Sequence, residues 1–83
     1  MPWYLFTPIY PCDPCDPNNY TLLGNFPPSC PGPKNYLCAI QAMDNLGLPI
    51  ITFSLCAEIA TALQNNIDTT NVLLSYINRC PVC

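Results

Sequence analysis

Residues 36–66, YLCAIQAMDNLGLPIITFSLCAEIATALQNN, decide the predicted fold because they contain two apolar stripes with helical spacing. The first stripe has apolar residues at positions i, i+3, i+4, i+7 and i+10, which is the pattern of one helix face. Its members are Tyr36, Ala39, Ile40, Met43 and Leu46. Gly47 follows, and glycine commonly ends a helix in a left-handed conformation. The pattern predicts a short helix that ends at Gly47.

The second stripe begins after Thr52, a residue whose hydroxyl suits it to cap the first turn of a helix. A helix that starts there would end at Asn65 and Asn66, which favour helix termini. The residues on its apolar face are Leu55, Cys56, Ile59, Ala62 and Leu63.

The two predicted helices are expected to face each other across an extended link at residues 48–51. In this arrangement Ile40 and Met43 pack against Ile59 and Leu63. Residues 72–77 are rich in β-formers and predict a short strand, although a third helix over 70–78 fits the same residues.

The N-terminal part of the chain differs in composition. Residues 1–33 contain nine of the eleven prolines and six of the nine aromatic residues. Because proline fixes φ and lacks an N–H group, this part should be extended and rich in turns. The repeated Cys-Asp-Pro triplet at 12–17 is typical of turns that Asp side chains close. The sequence therefore predicts a small disulfide-rich α+β fold: an extended Pro-rich arm at 1–33, then a small core at 34–83 with two short helices and a short C-terminal strand.

The charge content excludes several functions. The chain has two Lys or Arg residues, five Asp or Glu residues, no His and a net charge of −3. Two cations cannot neutralise a nucleic-acid backbone, so we predict no nucleic-acid partner. Without His, the common catalytic triads and His-metal sites are not available. We predict no catalytic, cofactor or metal site, and no transmembrane segment, since no apolar run approaches the 18 or so residues that one needs.

Seven cysteines in 83 residues favour a disulfide framework and an extracytoplasmic location, whether secreted, at the cell surface or in the periplasm. The N terminus lacks the basic segment of a secretory signal, so export would need a leader already removed or another route. Cys56 lies on a predicted apolar stripe and is the candidate for the unpaired thiol, unless it pairs with Cys38. The disulfide candidates are Cys12, Cys15, Cys30, Cys38, Cys80 and Cys83.

The opening segment is almost entirely apolar and must be covered by other residues. One alternative is that it packs on the core of its own domain; the other is that it forms an assembly arm on a neighbouring chain. We expect the second arrangement. The arm residues are Trp3, Tyr4, Leu5, Phe6, Ile9 and Tyr10.

Six short strings carry a resemblance over residues 15–74: CDPNNYT, PPSCPG, YLCAIQA, GLPIIT, EIATAL and TTNVLL. They resemble a family of small exported bacterial proteins, best known from Bacteroidetes, that has no assigned function. The resemblance implies export with a cleaved leader and implies no activity. The chain departs from the family pattern in its aromatic arm and in Cys12, Cys56, Cys80 and Cys83.

The sequence favours a non-catalytic structural or interaction subunit of an extracytoplasmic assembly, such as a repeated filament or surface-layer subunit. Its expected partners are copies of itself or a larger surface complex, because seven charged residues are too few to cover the surface of a free monomer. One alternative is a metal-binding module that uses the two C-x-x-C pairs, Cys12/Cys15 and Cys80/Cys83. Another is a small secreted monomer that acts as an effector or inhibitor.

Overall fold

A computed structural model describes residues 1–9, 12–77 and 79 of the chain. The strands are β1 (Trp3–Phe6), β2 (Tyr20–Gly24), β3 (Tyr36–Gln41), β4 (Asp44–Asn45), β5 (Leu48–Pro49) and β6 (Val72–Ser75). The helix α1 spans Phe53–Asn65, and a single 3-10 turn spans Pro17–Asn19. Within the described residues, no helix has the length and apolar character needed to cross a membrane.

The fold is mostly β, so the predicted pair of helices followed by one strand is wrong. Four strands form an antiparallel sheet in the order β2-β1-β3-β6, and β4 and β5 form a separate hairpin. The sheet combines strands that precede residue 33 with strands that follow it. β1 lies between β2, which precedes residue 33, and β3, which follows it.

The first predicted helix is instead strand β3, followed by the β4–β5 hairpin. Leu37 and Ile40 of β3 are buried in the main core, whereas Cys38 and Ala39 are buried in a smaller cluster with Trp3. A strand that is buried on both faces is a continuous apolar run, and such a run contains helical spacings by coincidence.

The helix α1 confirms the second predicted stripe. Thr52 caps it, with its hydroxyl accepting a hydrogen bond from the Leu55 N–H at 3.1 Å. Asn66 ends it in the left-handed conformation, at φ 54°. The strand predicted within residues 72–77 is present as β6, which lies at one edge of the sheet.

The main core lies between α1 and one face of the sheet. It joins Ile59 of the helix to Ile40 of β3, Tyr4 and Phe6 of β1, and Leu74 of β6. The predicted contact of the two stripes is therefore partly correct in its residues and wrong in its geometry. Ile40 approaches the helix from a strand and Leu63 packs at the border of the core, but the Met43 side chain is 62% exposed.

The N-terminal segment is part of this core. Trp3, Tyr4 and Phe6 are buried, and β1 lies in the interior of the sheet. Aromatic and other apolar residues favour such a position, and Pro2 and Pro8, which have no backbone N–H to donate, flank the strand and lie outside it. The structure thus shows this segment packed on its own domain, which is the first of the two alternatives and not the expected one.

Candidate interaction surface

Two disulfides join the loops to the sheet and the helix. Cys15 is bonded to Cys56 of α1, with Cα atoms 5.5 Å apart, and Cys30 is bonded to Cys38 of β3, with Cα atoms 6.1 Å apart. Cys12 is disulfide-bonded as well. Cys80 and Cys83 lie outside the described residues.

These bonds correct the expectations for Cys56, which is neither unpaired nor bonded to Cys38. On the helix, the Cys56 side chain lies on the side of the Asp-Pro segment and not in the core. The bonds also bear on the metal-binding alternative, because a zinc ligand must be a thiolate and the sulfurs of Cys12 and Cys15 are both in disulfides. In the described part of the chain, no group of three or more His, Cys, Asp or Glu residues could hold a metal ion.

The Asp-Pro segment forms the expected turns. Asp13 accepts a hydrogen bond from the Cys15 N–H at 2.9 Å, and Asp16 accepts one from the Asn18 N–H at 3.0 Å. The buried Asn19 ties these turns to the end of β1: its side chain donates to the Asp13 carbonyl at 2.8 Å and accepts from the Ile9 N–H at 3.2 Å.

The other three carboxylates also have structural partners. Asp44 accepts hydrogen bonds from the Tyr4 hydroxyl at 2.6 Å and from the Gly47 N–H at 3.1 Å. Burial, together with this bond and the charge of Asp44, raises the pKa of Tyr4 well above its ordinary value. Asp68 forms an ion pair with Lys34, with an N–O distance of 3.3 Å.

Glu58 holds the loop that precedes β6. It accepts hydrogen bonds from the Thr69 hydroxyl, from the Asn71 N–H at 2.9 Å and from the Asn71 side-chain amide at 3.1 Å. Burial alone would raise the pKa of Glu58, but these three donors lower it below its ordinary value. All five carboxylates of the chain therefore serve the fold.

The two edges of the four-stranded sheet differ. On β6, the outward Leu74 N–H donates to Asp68 at 2.8 Å, and the Leu74 carbonyl accepts from Lys34 at 3.2 Å. Val72 exchanges hydrogen bonds with Thr69, at 3.4 and 3.0 Å. These contacts satisfy the backbone groups that a further strand would need, so the β6 edge is closed.

At the β2 edge, meaning the outward side of Tyr20–Gly24, the described residues place no comparable hydrogen bonds on the outward backbone groups, although β5 lies close to β2. Thr21, Leu22 and Leu23 are exposed, and β2 is the last strand on its side of the sheet. Natural sheets commonly protect such an edge with charges, proline or a β-bulge. β2 contains neither a charge nor proline, and residues 17–33 carry no charge. The pairing of β2 with β1 does shift register between Leu22 and Gly24, where Leu23 is an extra residue.

A second exposed apolar region, termed the hairpin patch, lies in residues 43–53. Its members are Met43, Leu46, Leu48, Ile50 and Phe53. Leu46 is 98% exposed and Phe53 is 91% exposed. Met43 and Ile50 also line a shallow groove of about 240 Å³, together with Met1.

A further cleft of about 210 Å³ lies between the sheet and the end of α1, lined by Phe6, Leu37, Leu63 and Arg79 among others. Its volume is below the roughly 300–1,000 Å³ of typical small-molecule sites. The exposed apolar surfaces are thus better suited to contacts with macromolecules than to enclosing a ligand.

Comparison with known proteins finds no matching family, no matching characterised protein and no matching solved structure.

The residues of the predicted arm do not form one exposed surface in the structure. Trp3, Tyr4 and Phe6 are buried, Leu5 is half-buried and Ile9 is 64% exposed. Tyr10 lies outside the described residues.

Neither the β2 edge nor the hairpin patch is among the surfaces predicted from the sequence. Two signals for them are present in the sequence. The signal for the β2 edge is the charge-free run over residues 17–33. The signal for the hairpin patch is Leu46 directly before Gly47, and in the structure both residues have positive φ.

Proposed function

We propose that this protein is a non-catalytic structural subunit of an extracytoplasmic assembly, and that it contacts its neighbours through exposed apolar side chains. The observation that carries the proposal is that acidic side chains are used inside the fold while large apolar side chains are exposed. The carboxylates accept hydrogen bonds within the fold, whereas Leu46, Phe53 and Phe26 are each more than 80% exposed. Contiguous exposed apolar surface marks interaction sites on natural proteins, and in the hairpin patch Met43 and Ile50 line one groove with Met1.

The disulfides support the extracytoplasmic part of the proposal. All five cysteines in the described part of the chain are disulfide-bonded. Disulfides persist in oxidising compartments and are rare in the reducing cytosol. The lack of His, and the structural use of every carboxylate, support the non-catalytic part, since general acid-base catalysis needs a titrating group that is free to exchange a proton with a substrate.

The test is performed in the cells that produce the protein. A photo-reactive phenylalanine analogue replaces Phe53 in one tagged variant; in the matched control it replaces Gln64, an exposed polar residue on the same helix. The cells are irradiated and fractionated, and the products are separated without reductant.

We expect the oxidised protein in the extracytoplasmic fraction, in a complex larger than the monomer, with discrete cross-linked products from position 53 in excess of those from position 64. Recovery of the protein as a reduced cytoplasmic chain would contradict the location. A free extracytoplasmic monomer with no products from either position would favour the effector or inhibitor alternative instead.

A further inference from the structure

The β2 edge identifies a partner for the proposed structural subunit. We infer that β2 pairs in antiparallel fashion with β2 of a second copy of this chain, which joins two four-stranded sheets into one sheet of eight strands. The inference rests on the proposed function, because it names one partner of the proposed assembly and adds the β2 edge to its contact surfaces.

The first step is the direction of the backbone groups of β2. The Thr7 N–H donates to the Asn19 carbonyl at 2.8 Å, so Asn19 faces β1. Backbone groups alternate in direction along an antiparallel strand, and Leu5 lies opposite Thr21. Thr21 therefore also faces β1, and the N–H and carbonyl of Leu22 point away from the sheet.

The same alternation holds across the rest of the sheet. The Gln41 N–H donates to the Asn71 carbonyl at 2.8 Å, on the β6 side, and the Ala42 N–H donates to the Pro2 carbonyl at 3.2 Å, on the β1 side. The register of Tyr4 with Leu22 and with Ile40 agrees with these bonds. Leu22 thus offers an outward donor and an outward acceptor.

The second step is the surface around these groups. Leu22 is 43% exposed and Leu23 is 45% exposed. The chain has a net charge of −3, but its five acidic residues all lie outside residues 17–33. Two copies can therefore bring their β2 edges together without opposing like charges at the junction, and the leucine side chains would cover one another.

The third step is the geometry of the pair. With Leu22 on the two-fold axis, each Leu22 N–H donates to the carbonyl of the other Leu22, as in a hydrogen-bonded antiparallel pair. Thr21 then lies opposite Leu23 of the second copy, and the regular pairing is short because Leu23 is the extra residue at the register shift in β2. Because the β6 edge is closed by Lys34 and Asp68, β2 cannot continue into β6 of another chain. Pairing through sheet edges therefore closes at a dimer and does not extend as a filament.

The test uses the full-length oxidised protein and two matched substitutions. Leu22→Lys places a charge on the β2 edge, and Gln64→Lys places the same charge on an exposed residue of α1 that lies outside both apolar surfaces. Sedimentation equilibrium gives the dissociation constant of each variant, and hydrogen exchange gives the protection of the Leu22 amide.

We expect the unsubstituted protein and Gln64→Lys to form dimers of twice 9.2 kDa in which the Leu22 amide is protected. Leu22→Lys should raise the dissociation constant by about tenfold or more, as the loss of a hydrogen-bonded edge contact predicts. Leu22→Pro removes the outward N–H while leaving the groups that face β1, and should have the same effect. Circular dichroism and disulfide mapping confirm that each variant is folded.

The inference is overturned if the unsubstituted protein remains a monomer at millimolar concentration, if its dimer persists in both Leu22 variants, or if Gln64→Lys dissociates it equally. A dimer whose Leu22 amide exchanges freely also overturns it, because another surface would then form the contact. A monomer in vitro that is recovered in a large native complex would refute the self-pairing and leave the proposed function standing.

Discussion

Replacement of Leu46 by Asn should stabilise the protein. Leu46 and Gly47 are the two residues that connect β4 and β5, and their φ angles are 54° and 91°. Two-residue hairpin turns with positive φ at both positions strongly prefer Asn-Gly. A branched apolar residue in the left-handed region costs roughly 1–2 kcal/mol, a cost that Asn largely avoids.

The expected gain is about 1 kcal/mol, because the substitution relieves the backbone and removes no packing. The Leu46 side chain is 98% exposed, so no core contact is lost. For a domain of this size, 1 kcal/mol raises the melting temperature by roughly 4–8 °C. Thermal unfolding of the oxidised protein, followed by circular dichroism, measures this shift.

Leu46→Ala is the control, because it removes the same apolar side chain but keeps a Cβ atom and has no preference for positive φ. We expect its stability to lie within about 0.5 kcal/mol of the parent. If Ala stabilises as much as Asn, the effect comes from the loss of exposed apolar surface and the turn geometry does not explain it. If neither substitution stabilises, Leu46 does not adopt the left-handed conformation.

Three other outcomes are expected. Ile59→Ala should lower the free energy of unfolding by roughly 2–5 kcal/mol, whereas Met43→Ala should change it by no more than about 0.5 kcal/mol; chemical denaturation that finds equal losses would contradict the packing. The lowered pKa of Glu58 contributes stability above its ordinary pKa, and this contribution is lost as the pH falls through the lowered value. Between pH 6 and pH 3, Glu58→Gln should therefore lose less stability than the parent in urea titrations. An identical loss would mean that Glu58 does not contribute to the pH dependence of stability. Asp68→Ala should open the β6 edge and yield species larger than a dimer in sedimentation, and unchanged assembly would show that this edge is not closed by Asp68.

The helix α1 could be predicted from sequence because several independent signals agree. Thr52 is a capping residue, the apolar positions follow one helical face, and Asn66 adopts the left-handed conformation that ends helices. The Asp-Pro turns could be predicted for a similar reason, since an Asp side chain reaches the backbone N–H two residues later without help from distant parts of the chain.

Strand β3 could not be predicted from the spacing of its apolar residues. Leu37 and Ile40 face the helix while Cys38 and Ala39 face the Trp3 cluster, and both requirements come from partners far away in the sequence. The disulfide of Cys56 depends on distance in the same way, because its partner Cys15 is 41 residues away. Local patterns contain no information about such pairings.

For the N-terminal segment, the sequence predicts burial but not the surface on which the segment packs. Its composition establishes that Trp3, Tyr4 and Phe6 need to be buried, and the structure buries them. Composition does not identify the chain that buries them. That choice depends on the register of β1 with β3, in which Tyr4 lies opposite Ile40 and completes the chain's own core.

The disulfide pairing of the protein, mapped without reductant, is the most direct test of this account. Digestion at acid pH limits thiol exchange, which requires a thiolate, and mass spectrometry then identifies the linked peptides. We expect one linked pair that contains Cys15 and Cys56 and another that contains Cys30 and Cys38. A link between Cys38 and Cys56, or recovery of Cys15 and Cys56 as free thiols, would contradict the fold and the proposals built on it.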